Sequence, residues 1–576
     1  MHILLVASAF NSLTQRVHAE LRDRGHTVAV ELALPGRSLT RAVRRHDPRL
    51  VVAPMLKTVI PREVWTRWPC FVVHPGPLGD RGPSSLDWAV QAGAEDWGVT
   101  VFQADEELDA GDVWASVRCP VPPVSKSDLY RGEIADAAMA AVLRAVERFA
   151  SGTFTPVPQR AARTRPYLDQ SVRRIDWAAD TTETVVRKLR AADSRPGVRD
   201  VLRGEEWYLH GGHPERALHG APGALLATRC GAICRATSDG AVWIPELRRP
   251  RLPGEPPTFK MPAVTALGDR LPPVPELASS PIRAARTWAD IRYTEEADVG
   301  FLSFSFPGGA MSTTQCTRLL HAYREACARP TGVLVLGTQR DFFSNGIHLG
   351  VIESAPDPAA ESWANINALD DLVEAVLTTT DRLVVSAIGG SAAAGGVMLA
   401  LAADEVWCRA GAVLNPHYGL LGLYGSEFWT YTLPRRVGAV TAERLMRECL
   451  PVSAAGALHI GLVDRVLDCG AGDFAGEVGS LAARLAALPA TSSRIMDKKT
   501  ELDRQEAVEP LSAFRQRELA RMRATFDDPN APYHALRRAF VTKQPPTDTP
   551  PHLAHSRSGP RVTGTDPADL SSRQHP

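Results

Sequence analysis

The sequence has no excess of either charge: 65 basic residues balance 65 acidic ones over 576 positions. That excludes a general electrostatic grip on nucleic acid or an anionic membrane, so neither partner is expected. No cationic segment precedes the apolar run MHILLVASAF and no small-residue cleavage pattern follows it, so the run reads as a first β-strand. The nine cysteines are scattered. Cys230 and Cys234 are the one close pair in the sequence, with no second Cys or His pair to match. A zinc site is not expected, no metal ligands are assigned, and the thiols read as reduced groups of a cytoplasmic protein. Residues 383–403 carry no charge and are long enough to span a bilayer. The pairs Gly389-Gly390 and Gly395-Gly396 instead imply strand, tight turn and buried helix, without membrane insertion. No GxGxxG follows the first strand, which removes the dinucleotide fingerprint.

What is present suggests about three or four domains, at ~100–200 residues each. Residues 1–165 alternate apolar runs (HILLVA, HTVAVEL, LVVAPML, FVVHPG) with helical stretches, implying a parallel α/β sheet. From 166 to 285, a helical stretch leads into short strands broken by Gly and Pro, as in a small β-barrel. Residues 286–543 return to alternating strands and end in charged helices, a second α/β region. From 544 to 576 the chain is rich in Pro, Ser, Thr and His, and disorder is expected. The fold class is multidomain α/β.

In FVVHPGPLGDRGPSSLDWAV, His74 stands where a strand gives way to a Gly/Pro loop, the usual place for a ligand site. Asp109 follows in LDAGDVWA, in a second turn with Gly111. A carboxylate on a neighbouring strand end can orient the imidazole for proton transfer. HPGP…RGPSSLDWA and DAGDVWA resemble the formyltransferases that use 10-formyltetrahydrofolate, and RIDWAADTTETVVRKLRAAD resembles their C-terminal domain. The resemblance implies a folate substrate, with Arg81 and Ser84 as candidate folate contacts. It has one departure. The family's oxyanion donor, an Asn two residues before the His, is Val72 here, a loss that can cost on the order of 10²–10³ in rate. A thiol acceptor, more nucleophilic than an amine, is therefore expected.

DFFSNGIHLGVIE, GGSAAAGGVMLALAADE, GAVLNPHYGLLGLYGSEFWTYTLPRRVG and VSAAGALHIGLVDRVL occur in the order and spacing of the crotonase (enoyl-CoA hydratase/isomerase) family, which they resemble. The resemblance implies coenzyme A thioester chemistry, with the backbone amides of Ile347 and Gly395 as an oxyanion hole. The two hydratase carboxylates are replaced by Met398 and His417, so hydration is not expected. Glu427 and Tyr418 are the substitute acid–base candidates, with Glu427 taking the formyl proton and Tyr418 supplying one to sulfur; a helix-capping role for Glu427 is the rival reading. His348 and Tyr424 are weaker candidates. Arg131, Arg447 and Lys543 are candidate contacts for CoA phosphates.

A formyltransferase half joined to a crotonase half resembles a family of NiFe-hydrogenase maturation factors. That resemblance implies formyl transfer to CoA, decarbonylation of formyl-CoA, and delivery of CO to a hydrogenase large subunit or another maturation protein. A fused acyl-CoA hydrolase or isomerase, and a non-catalytic folate- and CoA-binding scaffold, remain as alternatives.

Overall fold

The computed structural model describes residues 1–159, 163–282, 287–337 and 340–554, together with the short strand Arg557–Ser558. The N-terminal region is built on a seven-stranded sheet. Its strands Thr27–Leu32, His2–Ala7, Leu50–Met55 and Cys70–His74 run parallel, each a nearly continuous apolar run, as strands covered on both faces must be. The wholly parallel sheet expected here is corrected at its far side. Strands Asp96–Gln103 and Val113–Pro120 form a hairpin paired antiparallel to Cys70–His74. The two hairpin strands are joined by a short turn around Asp109, too short for the crossover that parallel pairing between them would require.

The middle region differs from a closed barrel. It holds two four-stranded antiparallel sheets, and no ladder joins them among the described residues. Their shared core packs around Trp207, Ile233, Ile244 and Leu247, under the helix Thr182–Ala192. The C-terminal region carries a six-stranded sheet, parallel except for its first strand Ile291–Glu296. Residues 383–403 resolve into the strand Leu383–Ile388, a turn, and the buried helix Gly395–Leu401, as their glycines implied. Among the described residues no helix is long and apolar enough to cross a membrane.

Ion pairs stitch the first region to the third. Arg16 and Arg409 both reach Asp136, at 2.5 and 2.9 Å, and Arg131 meets Asp341 at 2.7 Å. A second tie comes from the segment expected to be disordered. Residues 544–554 run back over the N-terminal sheet: Thr549 accepts from the Leu32 amide and donates to Glu31, both at 3.0 Å, and Leu553 enters that sheet's core. Its few apolar groups suffice because they dock onto a core already formed. The rest of the expected tail, beyond Ser558, lies outside the described residues. Leu553 is 3% exposed. Leu553→Ala should destabilise the N-terminal region by about 2–5 kcal/mol, read as an earlier first transition in a denaturant melt.

Candidate active sites

His74 ends its strand at the carboxyl edge of the sheet and is buried. Its Nε2 lies 3.0 Å from Asp80 Oδ2, and its Nδ1 lies 4.0 Å from Asp109 Oδ2. The partner expected from the sequence, Asp109, is thus the more distant of two. Asp109 spends the same oxygen on the Gly82 amide at 3.0 Å. Asp80 also accepts from Ser85 Oγ at 2.7 Å and Arg165 Nε at 2.6 Å. Burial raises the Asp80 pKa, but the hydrogen bonds from His74, Ser85 and Arg165 together outweigh it and hold the carboxyl below the usual range. An ionised Asp80 only accepts, so His74 Nε2 carries the proton and Nδ1 faces Asp109. The approach is close enough that a Cβ on Gly76 would collide with both His74 and Asp80.

Of the candidate folate contacts, Arg81 pairs with Glu107 at 2.7 Å, and Ser84 accepts from the Leu168 amide at 3.4 Å. Both line the same cavity as His74, Asp109 and Val72. Asp80 does not line it and stands behind the imidazole.

That cavity encloses about 2900 Å³ and continues into the C-terminal region, where Ile347, Gly395, His417, Tyr418 and Glu427 line it. Gly395 opens its helix, so its amide has no helical acceptor, and neither it nor the Ile347 amide meets a protein acceptor among the described residues. A Cβ at Gly395 would collide with Glu427 Oε1, which puts the carboxyl against the candidate oxyanion hole. Glu427 is 1% exposed, and burial pushes its carboxyl up to about 7. Tyr418 donates its hydroxyl to Glu427 Oε2 at 2.7 Å. Burial, then the adjacent Glu427, push the phenol well above its ordinary value.

Glu427 does not cap the following helix Trp429–Val437. The amides of Phe428 and Thr430 are taken by Glu518, at 2.9 and 2.8 Å, and Glu427 turns back to Tyr418. Asp370 accepts from the Glu427 amide at 2.8 Å and from Ser426 Oγ. Sequence reasoning missed Asp80, Asp370 and Glu518.

The former hydratase positions are poor sites for water chemistry. Met398 is fully buried in the core. Burial, then the nearby His552, lower the His417 pKa to about 4. His348 caps the helix Leu349–Ser354 by accepting from the Val351 amide at 3.1 Å. Tyr424 packs on Trp429 and under Arg521. Among the basic candidates, Arg131 and Lys543 line the cavity. Arg447 does not: it sits exposed on the helix Ala439–Glu448. Arg195 and Arg248 of the middle region line the cavity and were not anticipated.

A formyltransferase-type sheet edge and a crotonase-type amide pair in one chain point to an enzyme built from two families. The family models agree: "Formyl transferase" matches residues 33–146, "Formyl transferase, C-terminal domain" 168–253, and "Enoyl-CoA hydratase/isomerase" 303–545. The chain is 47% identical to the hydrogenase maturation factor HoxX of Bradyrhizobium diazoefficiens over 97% of both chains. It superposes on the crystal structure of HypX from Aquifex aeolicus in complex with tetrahydrofolic acid with a TM-score of 0.93, at 43% identity, covering 96% of this chain and 98% of that one. Methionyl-tRNA formyltransferase of Aromatoleum aromaticum is 27% identical over 39% of this chain and 73% of its own length. The chain belongs to the HypX/HoxX family of hydrogenase maturation factors.

Proposed function

We propose that this chain moves the formyl group of 10-formyltetrahydrofolate onto coenzyme A at the His74 site and releases carbon monoxide from formyl-CoA at the Glu427 site. The observation that carries the reading is the single cavity lined by both groups, which lets a formyl thioester pass between them without release. Tetrahydrofolate in the A. aeolicus relative supports folate at the first site. The enoyl-CoA hydratase/isomerase match supports a CoA thioester at the second.

In the first step the CoA thiol gives its proton to the His74–Asp109 pair, its sulfur attacks the formyl carbon, and the folate nitrogen leaves with that proton. Asp80 fixes the His74 tautomer, leaving Nδ1 and Asp109 toward the reacting atoms, where they hold and move that proton. Val72 offers no oxyanion donor, so a good nucleophile carries more of the barrier. Arg81 and Ser84 flank the folate, while Arg131, Lys543, Arg195 and Arg248 present cations to the CoA phosphates.

In the second step the formyl C–H and C–S bonds break together: the proton leaves carbon, the thiolate departs, and CO remains. The Ile347 and Gly395 amides polarise the carbonyl. Glu427 takes the proton and returns it to sulfur. Tyr418 is reassigned from the sequence expectation: a phenol whose pKa is raised by burial and a neighbouring carboxylate is a poor proton source, and it orients Glu427 instead. A dry site suppresses hydrolysis to formate. The CO is destined for the iron of NiFe-hydrogenase, through its large subunit or another maturation protein.

The test is headspace gas analysis of purified protein with formyl-tetrahydrofolate and CoA. CO should appear with both substrates and vanish when CoA is omitted. Sustained formyl-tetrahydrofolate turnover with an amine and no CoA, or formate as the sole one-carbon product, would sink the reading.

A further inference from the structure

Glu427 and Phe428 are consecutive non-glycine residues, both with φ of 58°. L-residues seldom occupy this left-handed region singly, and two in succession need outside support. The backbone turn that results points successive amides outward, and each meets a buried carboxylate from a different helix. Asp370, on Pro358–Leu377, takes the Glu427 amide at 2.8 Å, and both its oxygens take the Ser426 hydroxyl, at 2.9 and 2.8 Å. Glu518, on Leu511–Asp527, takes the Phe428 amide at 2.9 Å, the Thr430 amide at 2.8 Å and the Thr430 hydroxyl. Both acids are fully buried.

An economical core would not put three carboxyls here. The cation beside Asp370 is poorly placed to neutralise it: Arg515 Nε stands 3.9 Å away, while its two Nη atoms bind Asp371 and Glu374 at 2.5 Å. Tyr418 is already engaged with Glu427. A helix start could be capped by a Ser or Asn without burying charge. The arrangement makes sense if the conformation of Glu427 itself is what is being held.

We propose that Asp370 and Glu518 are positioning residues that clamp the backbone on either side of Glu427, fixing the left-handed turn that aims its carboxyl at Gly395 and the cavity. They act through the Glu427 and Phe428 amides and touch no substrate. The clamp rests on the reading of Glu427 as the acid–base group. It has a second consequence, because a neighbouring carboxylate disfavours ionisation of Glu427. Burial is the larger cause of the raised Glu427 pKa, and the charge on Glu518 adds to it. Burial and then Glu427 raise that of Asp370 in turn. The groups facing Glu427 are thus Tyr418, Asp370, Glu518 and, more remotely, Cys316, while Arg515 acts on Asp370 and Arg517 on Glu518.

Alanine and amide variants separate geometry from charge, with CO release from supplied formyl-CoA as the assay and formyl-tetrahydrofolate consumption as the folding control. Asp370→Ala and Glu518→Ala should lower kcat by about tenfold or more, with KM little changed, because a small misplacement of a reacting group is costly. Asp370→Asn keeps a carbonyl acceptor for the Glu427 amide and should restore most of kcat, whereas Glu518→Gln keeps one acceptor oxygen for the Phe428 amide but turns an NH₂ toward Thr430 and should restore only part of it. In Glu518→Gln the acid limb of the pH profile should move down by roughly half a unit or more, since one like charge is gone. If the alanine variants fail to fold, Asp370→Asn decides: retained kcat supports the clamp, and a tenfold loss overturns it. Parental kcat in both alanine variants also overturns it. Glu427→Gln is run alongside. If it releases CO at the parental rate, the reading of Glu427 fails; if it is inactive while the clamp variants are unaffected, only the clamp fails.

Discussion

Glu427→Gln should abolish CO release from supplied formyl-CoA while formyl-tetrahydrofolate and CoA are still consumed. The amide keeps the volume and the hydrogen bond from Tyr418 but has no basic oxygen to take the formyl proton. General acid–base groups contribute ~10²–10⁴-fold, so the loss should be plain in a headspace assay. Tyr418→Phe should cost less, roughly ten- to a hundredfold, the scale of one hydrogen bond to a charged group. The parent should show a pH dependence of known sign. Its carboxyl is raised to about 7 by burial, so below that value Glu427 is protonated and cannot act as a base. CO release should therefore rise with pH through about 7 and then level off. A Glu427→Gln variant that releases CO at the parental rate removes Glu427 from the mechanism.

His74→Ala should end consumption of formyl-tetrahydrofolate at the first site, yet leave CO release from supplied formyl-CoA intact. Asp80→Asn should be nearly as damaging, on the order of 10²–10⁴-fold, because an amide can present its NH₂ to Nε2 and so favour the wrong tautomer. Asp109→Asn should also slow transfer severely, with the loss arising on the substrate side of the ring. The contrast with a merely structural carboxylate is readable in a melt. Asp80 also holds Arg165 and Ser85, so Asp80→Asn lowers the unfolding midpoint as well, whereas Asp109 holds one loop amide. Normal turnover in all three variants would make the whole constellation structural.

Much of this was legible in the residues, and the failures have physical reasons. His74 is tied to a strand end that spacing locates, while Ile347 and Gly395 sit at glycine turns that the crotonase resemblance points to. Glu427 stood out as a lone acid in an aromatic stretch. Its true environment did not, since Asp370 lies 57 positions from Glu427 and Glu518 lies 90 positions from Phe428 in sequence. Nothing in DDLVEAVL or QRELARM distinguishes a buried acid from a solvated one. Asp80 was within reach: it sits six residues after His74, on the same loop, with a serine to brace it. The strand-end turn that carries Asp109 and the family resemblance both favour the other aspartate. Composition misled at residues 544–554, where four prolines and polar neighbours suggested a free chain but a single leucine and a threonine find prepared seats.

The bond between Glu31 and Thr549 joins positions 518 apart, and it has a consequence for the chain during synthesis. At ~5–20 residues per second, the ribosome delivers Thr549 about 25–100 s after Glu31. Through that interval the outer strand Thr27–Leu32 lacks its neighbour, and the core beneath it lacks Leu553. A nascent N-terminal region is therefore an unfinished sheet with an open border, the form most prone to pair with another chain. Chaperone occupancy should be highest on ribosome-bound intermediates and should fall when the last segment emerges.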